Sequence, residues 1–216
     1  VSRVAAVDCG TNSIRLLVAD LTDGRQHDLE RLNTIVRLGQ GVDRTGMLAE
    51  DALERTAAAL QAYSTRIDEL KVDRVRMVAT SATRDAGNRD VFVAMVREHL
   101  GVDPEVISGA EEAALSFAGA TRVLAPQGPV LVCDIGGGST ELVRGQASVA
   151  ASLSVDVGCV RLTERHGSDR AAIDADATEA VTRLLDAVPV DGAGELICLA
   201  GTATTVTALA LGLEAY

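Results

Sequence analysis

Apolar and polar positions along the chain alternate between short strand-like runs and longer amphipathic stretches. "RVAAVD" (3–8) is an apolar run closed by an aspartate and predicts a buried strand. "CGTNS" (9–13) is a polar turn and "IRLLVADL" (14–21) a returning strand, so the chain opens with a hairpin. Residues 24–41 predict one or two further strands and then loop. "EDALERTAAALQAYSTRIDEL" (50–70) predicts a helix with Leu53, Ala57, Leu60, Ser64 and Ile67 on one face. "RVRMVAT" (74–80) is a strand, "SATRDAGN" (81–88) a polar loop, and "RDVFVAMVREHL" (89–100) a helix ended by Gly101. A short strand "PEVI" (104–107) and a helix "AEEAALSFAGATRVL" (110–124) follow. Strands alternating with helices predict α/β layers.

"APQGP" (125–129) is the best candidate boundary, because the pattern then restarts. "VLVCD" (130–134) predicts a strand, "IGGGS" a turn, "TELVRG" (140–145) a returning strand and "ASVAASLSVDVG" (147–158) another. Helices are expected around 160–165 and 176–187. "ELICLAG" (195–201) predicts a strand, "TATT" (202–205) a turn and "VTALALGL" (206–213) a helix. The two halves, 1–124 and 129–216, share one plan of apolar strand, Asp, Gly-rich polar turn and apolar strand. That plan predicts two lobes related by duplication, with two similar turns able to face each other across a cleft.

Composition narrows the picture. Aromatics make up 2% of the chain and there is no Trp, so aliphatic residues must fill the cores. The formal net charge of -11 argues against general nucleic-acid binding, which leaves a basic footprint. A local phosphate site needs only a few donors, and is compatible with that charge. Cys9, Cys133, Cys159 and Cys198 form no C-x-x-C pair and sit in or beside apolar segments, which predicts a reducing compartment without zinc or disulfides. No segment has the length and apolarity of a membrane span, and the N-terminal residues lack a signal-peptide pattern, so a cytoplasmic location is expected.

The chemistry gathers in the turns. Glycine lets the backbone approach a ligand closely, and successive N–H groups form an anion-binding concavity. Gly136, Gly137, Gly138 and Ser139 supply one such turn, Thr11, Asn12 and Ser13 the other. Asp8 and Asp134 end the preceding strands. A carboxylate beside a phosphate calls for a cation between them, and Mg²⁺ (or Mn²⁺) suits that geometry. A third phosphate-loop candidate is "AGTATT" with Gly201 and Thr202, which also reads as simple helix capping by Thr. Ser108 and Glu111 fit a capping box, which gives Glu111 a structural task and leaves Glu112 as either a solvated helix residue or a carboxylate that orients water. Arg84 is either a phosphate clamp or a loop arginine paired with Asp85 or Asp90.

"VDCGTNSIRLLVA", "ATSATRDA", "VISGAEEA" and "DIGGGSTELV" occur in this order and are followed by "VGCVRLTE" and "AGTATT". Together they resemble the exopolyphosphatase and guanosine pentaphosphate phosphohydrolase (Ppx/GppA) family, in its short two-lobe type, over essentially the whole chain. The resemblance implies an actin-like (ribonuclease H-like) ATPase fold with two lobes around a cleft. It also implies metal-dependent hydrolysis of terminal phosphoanhydrides of inorganic polyphosphate, or of guanosine pentaphosphate, and it allows a homodimer. In residues, it implies that Glu112 is the catalytic base, that Arg84 contacts substrate phosphate, and that Asp134 and Glu141 position metal and water. Members of this type run on by further helices and a strand, so an incomplete second lobe is expected here. Two other readings stand beside it: an ATPase or sugar kinase of the same superfold, and a sensor that binds polyphosphate or guanosine tetraphosphate without cutting it.

Overall fold

The structure is a computed structural model that describes residues 2–213. Val1 and the last three residues of "LGLEAY" lie outside the described residues. Contacts divide the chain into two units, Val1–Ile107 and Ser108–Tyr216.

In unit 1, β1 (Ser2–Cys9) and β2 (Ser13–Thr22) form the expected antiparallel hairpin, with Asp8 opposite Arg15 and Cys9 opposite Ile14. β3 (Arg25–Ile35) returns as one continuous strand. The β2–β3 turn is Asp23–Gly24, with φ of 51° and 75°. Two successive positive φ values are what a two-residue hairpin matched to strand twist needs, and Asp-Gly meets that need at low cost. After them come α1 (Val42–Thr45), α2 (Glu50–Glu69), β4 (Arg74–Ala79), α3 (Ser81–Asp85), α4 (Arg89–Leu100) and β5 (Glu105–Val106). The sheet order is β3-β2-β1-β4-β5, with β4 parallel to both neighbours. One core joins Ile14, Leu16 and Met77 of the sheet to Leu60 and Tyr63 of α2 and to Phe92 and Val96 of α4. Each of these apolar side chains contributes about 1.5–3 kcal/mol relative to exposure.

In unit 2, α5 (Gly109–Leu124) precedes β6 (Val130–Ile135), β7 (Thr140–Gly145) and β8 (Val149–Val155). Then come α6 (Cys159–His166), α7 (Arg170–Ala187), β9 (Glu195–Leu199) and α8 (Ala200–Leu211). The sheet order is β8-β7-β6-β9, with β9 parallel to β6. Strand alternation sends Val130 and Val132 toward Ala113, Phe117 and Ala120 of α5, while Leu142 and Val155 pack against Ala180 and Leu184 of α7. The predicted duplication is present: β6, β7, β8 and β9 repeat β1, β2, β3 and β4 in order and direction. Among the described residues, no helix is long and apolar enough to cross a membrane.

Several expectations need correction. The buried stripe of α2 is Ala52, Thr56, Ala59, Leu60, Tyr63 and Ile67, whereas Leu53, Ala57 and Ser64 are only partly buried. Polar tips are tolerated in this stripe because Tyr63 donates to Ile14 O at 2.8 Å and Thr56 to Ala52 O at 2.7 Å. The 81–88 loop begins with helical turn α3, closed by Arg84 N–H on Thr80 O at 2.9 Å with Ser81, Ala82 and Thr83 buried. "TATT" is the first part of α8, because Ala200 at φ 65° makes the bend in one residue. The break between units lies at Ile107/Ser108 and not at 125–129, because α5 packs on the sheet of unit 2. Cys9 is buried, but Cys159 and Cys198 are exposed.

Candidate active site

The β6–β7 hairpin holds the glycine turn. Ile135 stands opposite Thr140 and Asp134 opposite Glu141, and Gly136 N–H closes the turn on Ser139 O at 3.0 Å. The carbonyl oxygens of the three glycines are engaged by the start of α6. Cys159 N–H bonds Gly136 O at 3.1 Å, and Val160 and Arg161 N–H bond Gly137 O at 2.9 and 3.1 Å. Arg161 Nε donates to Gly138 O at 2.8 Å. In a planar trans peptide the N–H points opposite to the C=O of the same unit. The N–H groups of Gly137, Gly138 and Ser139 therefore face away from α6, as an anion nest requires. Gly158 makes the approach possible, since a Cβ there would lie 2.5 Å from Gly137 C and O.

Asp134 and Glu141, as a cross-strand pair, share the sheet face that α5 covers. Ser116 Oγ donates to Asp134 Oδ2 at 2.7 Å, and Ser154 Oγ to Glu141 Oε1 at 2.7 Å. Glu141 is 1% exposed. Glu112 stands four residues before Ser116, hence on the same face of α5, and its Oε2 is shielded from solvent. The start of α5 is set by the predicted capping box, with Glu111 N–H on Ser108 Oγ at 3.2 Å and Ser108 N–H on Glu111 Oε2 at 2.9 Å. Gly109 lets the helix press on β8, because a Cβ there would come within 2.5 Å of Ser154 Oγ. Ser116 and Ser154 were missed in the sequence. The available signals were the spacing of Ser116 from Glu112 and the alternation that puts Ser154 on the Glu141 face.

Like charges directly opposite one another in a sheet are destabilising. The same negative surroundings act on Cys133: burial first, then Cys198, Asp134 and Glu141, push its thiol up to about 11. A hard divalent cation fits this oxygen-only pair, since Mg²⁺ needs one or two carboxylates and completes its shell with water and phosphate. Among the described residues, no group of three or more His, Cys, Asp or Glu is placed to hold a metal.

Unit 1 repeats the turn with different side chains. Gly10 N–H bonds Ser13 O at 3.0 Å, as Gly136 does Ser139. Gly39 N–H takes Thr11 O at 2.8 Å, and Val36 and Arg37 N–H take Asn12 O at 3.0 and 2.9 Å. By the same peptide geometry, the N–H groups of Asn12 and Ser13 are directed away from that loop. Thr11 is 8% exposed, and its hydroxyl meets Ser81 Oγ at 2.8 Å, so it ties the turn to α3. Arg84 sits in the last turn of α3, with Nη1 donating to Ile107 O at 3.0 Å and Nε 3.9 Å from Asp85 Oδ1. Asp8 differs from its repeat partner Asp134: Arg15 Nη1 lies 3.2 Å from it and supplies the cation directly.

Gly201 and Thr202 lie in the first turn of α8, just past Leu199, which pairs with Asp134 across β6 and β9. No side-chain bond caps this helix start, so Thr202 is not used as a cap. A Cβ on Gly201 would meet open space, which leaves its backbone approachable.

The family model described as the Ppx/GppA phosphatase family matches residues 17–215. The chain is 50% identical to a Mycobacterium tuberculosis protein named exopolyphosphatase 2, over all of this chain and 73% of that protein. It superposes on the crystal structure of an exopolyphosphatase-like protein with a TM-score of 0.94 at 44% identity, covering all of this chain and 71% of the other. It also matches the Aquifex aeolicus member of the Ppx/GppA family, with a TM-score of 0.77 at 35% identity over all of this chain and 71% of that one. The α/β fold with its duplicated sheets is thus the actin-like fold of these proteins.

Proposed function

The chain belongs to the Ppx/GppA phosphatase family, and from that premise we propose that it hydrolyses the terminal phosphoanhydride of inorganic polyphosphate. Water attacks the terminal phosphorus, the bond to the bridging oxygen breaks, and orthophosphate leaves a chain shorter by one unit. Glu112 orients the water and takes its proton. The N–H groups of Gly137, Gly138 and Ser139, with the Ser139 hydroxyl, hold phosphoryl oxygens, and Gly201 and Thr202 add donors from the start of α8. Arg84 and the Thr11–Ser13 turn are the phosphate-binding groups of unit 1. Asp134 and Glu141 would hold Mg²⁺ or Mn²⁺, which when bound neutralises phosphate charge and polarises the reacting group. With little covalent chemistry for the protein to do, positioning and charge neutralisation supply most of the rate.

The observation that carries this reading is the placement of Glu112 and Ser116 on the α5 face that meets Asp134 and Glu141. The test is release of orthophosphate from short polyphosphate, long polyphosphate and guanosine pentaphosphate, each with and without Mg²⁺. Metal-dependent release from polyphosphate is expected. Release from guanosine pentaphosphate alone would transfer the reading to that substrate, and tight binding of polyphosphate without release would leave a sensor.

A further inference from the structure

In unit 1 two segments leave the sheet side by side. Cys9 of β1 pairs with Ala79 of β4, and Thr80 N–H still reaches Cys9 O at 3.2 Å. There the ladder ends: β1 runs into the Gly10–Ser13 turn and β4 into α3. Just beyond, Thr11 Oγ1 and Ser81 Oγ meet at 2.8 Å, a side-chain bond between residues 70 positions apart. Thr11 is 8% exposed and Ser81 1%. A buried hydroxyl without a partner is costly, so each of the two fixes the other. Ser81 and Arg84 stand three residues apart and share a face of α3. The bond therefore sets the turn against the helix face that bears Arg84.

Thr11 is held on its other sides as well. Its carbonyl oxygen accepts Gly39 N–H at 2.8 Å, and its methyl lies so close to Gly39 that a Cβ there would collide with Thr11 Cγ2. The side chain is wedged between the Gly39 loop and α3, whereas the Asn12 and Ser13 N–H groups point away from that loop. Unit 2 is built without this brace. By strand register, Thr11 corresponds to Gly137 and Ser81 to Thr202. Gly137 has no side chain for Thr202 to meet, and its carbonyl is taken by Val160 and Arg161 N–H. The duplicated fold thus forms its turn without a hydroxyl pair, and the pair in unit 1 calls for another reason.

We infer that Thr11 and Ser81 are a positioning pair, whose hydroxyl bond holds the donor face of the Asn12–Ser13 turn at a fixed setting to Arg84. Thr11 acts through the turn and not on the phosphate itself. The inference rests on the reading above, in which the turn and Arg84 take phosphate. Donors carried on two segments so far apart in sequence grip one ligand well only when their spacing is set beforehand, and the buried pair supplies that setting.

The test is a double-mutant cycle of Thr11→Val, which keeps the side-chain shape, and Ser81→Ala. Each single variant leaves one buried hydroxyl without its partner and should lower the melting temperature. The double variant removes both and should regain most of that loss. Affinity for inorganic polyphosphate is measured by calorimetry, separately from KM and kcat for phosphate release. T11V, S81A and the double variant are each expected to bind about fivefold more weakly, with KM raised in parallel and kcat changed far less. Affinity that returns to the parental value in the double variant, along with its melting temperature, would make the pair merely structural and overturn the inference. So would weaker binding in T11V with S81A at the parental value, which would make Thr11 a direct ligand. Losses that multiply in the double variant would also overturn it, because a single shared bond can be lost only once. A parent protein that binds polyphosphate but releases no phosphate would defeat the hydrolase reading alone, because the affinity cycle still decides for or against the pair.

Discussion

Ser116 Oγ donates to Asp134 Oδ2 at 2.7 Å, so the aspartate next to the end of β6 is aimed from helix α5, one turn along from Glu112. A hydrogen bond to a charged acceptor is worth about 1.5–3 kcal/mol. Ser116→Ala is therefore expected to lower phosphate release by roughly tenfold or more and to raise the Mg²⁺ concentration needed for half-maximal rate. Its melting temperature should stay close to the parent's, because Ser116 is only partly buried. An unchanged Mg²⁺ titration would remove Ser116 from the positioning of Asp134.

Glu112→Gln keeps the size and shape of the side chain and removes its basicity. Turnover should fall about 10²- to 10⁴-fold, the usual worth of a positioned general base, while affinity for polyphosphate is retained. Near-parental phosphate release by this variant would exclude Glu112 as the base.

Two glycines near the turn should respond in opposite ways. Gly158→Ala drives a Cβ to 2.5 Å from Gly137 C and O, both backbone atoms that cannot swing aside. About 1–3 kcal/mol of stability and most of the activity should be lost together. Gly201→Ala meets open space in the first turn of α8, so stability should rise by about 0.4–1 kcal/mol as the unfolded chain loses freedom. If Gly201 approaches a phosphate, KM rises in that more stable protein. Thermal melts paired with steady-state kinetics separate the two cases.

Acid sensitivity follows from carboxylates held below their usual range. Hydrogen bonds from Arg3, Arg55 and Arg97 lower Asp20, Asp51 and Asp103, each as the largest cause. A folded pKa below the unfolded one stabilises the fold above the unfolded value, near pH 4, and that contribution is lost as pH falls through the folded value. Melting temperature should be flat down to about pH 5 and then fall. Asp51 and Asp103 are exposed and Asp20 is in reach of solvent at the surface, so each contributes little, and the triple Asp→Asn variant should flatten the fall more than it lowers the plateau. An identical profile for the triple variant would show that other groups control acid unfolding.

Much of this molecule was legible in its sequence. Continuous apolar runs at Val4–Val7 and Val130–Cys133 marked the first strands of the two hairpins, and the repetition of Asp before a polar turn marked the duplicated sheets. The S-x-x-E spacing fixed the start of α5 and separated Glu111 from Glu112. What escaped was set by contacts between distant residues. Ser81 lies 70 positions from Thr11, and nothing local announces their hydrogen bond. Arg15 disarms Asp8 only because register places them opposite. Helix α3 and the first turn of α8 were hidden because Ser- and Thr-rich sequence reads as turn, yet each helix begins within two residues of the end of its strand. The boundary was misplaced because Pro and Gly mark a surface connection as readily as a division between units.

Each sheet is built from one uninterrupted stretch of chain, with no strand exchanged between units. The consequence is kinetic. Each of the two polar turns is the tip of a hairpin whose strands are neighbours in sequence, and such hairpins close in microseconds. The parallel strands β4 and β9 join later, after a longer loop has closed. Each half also carries its own core, so folding is expected to advance half by half, in the order of synthesis. The turn backbone of each half would then exist before the rest of its sheet is complete.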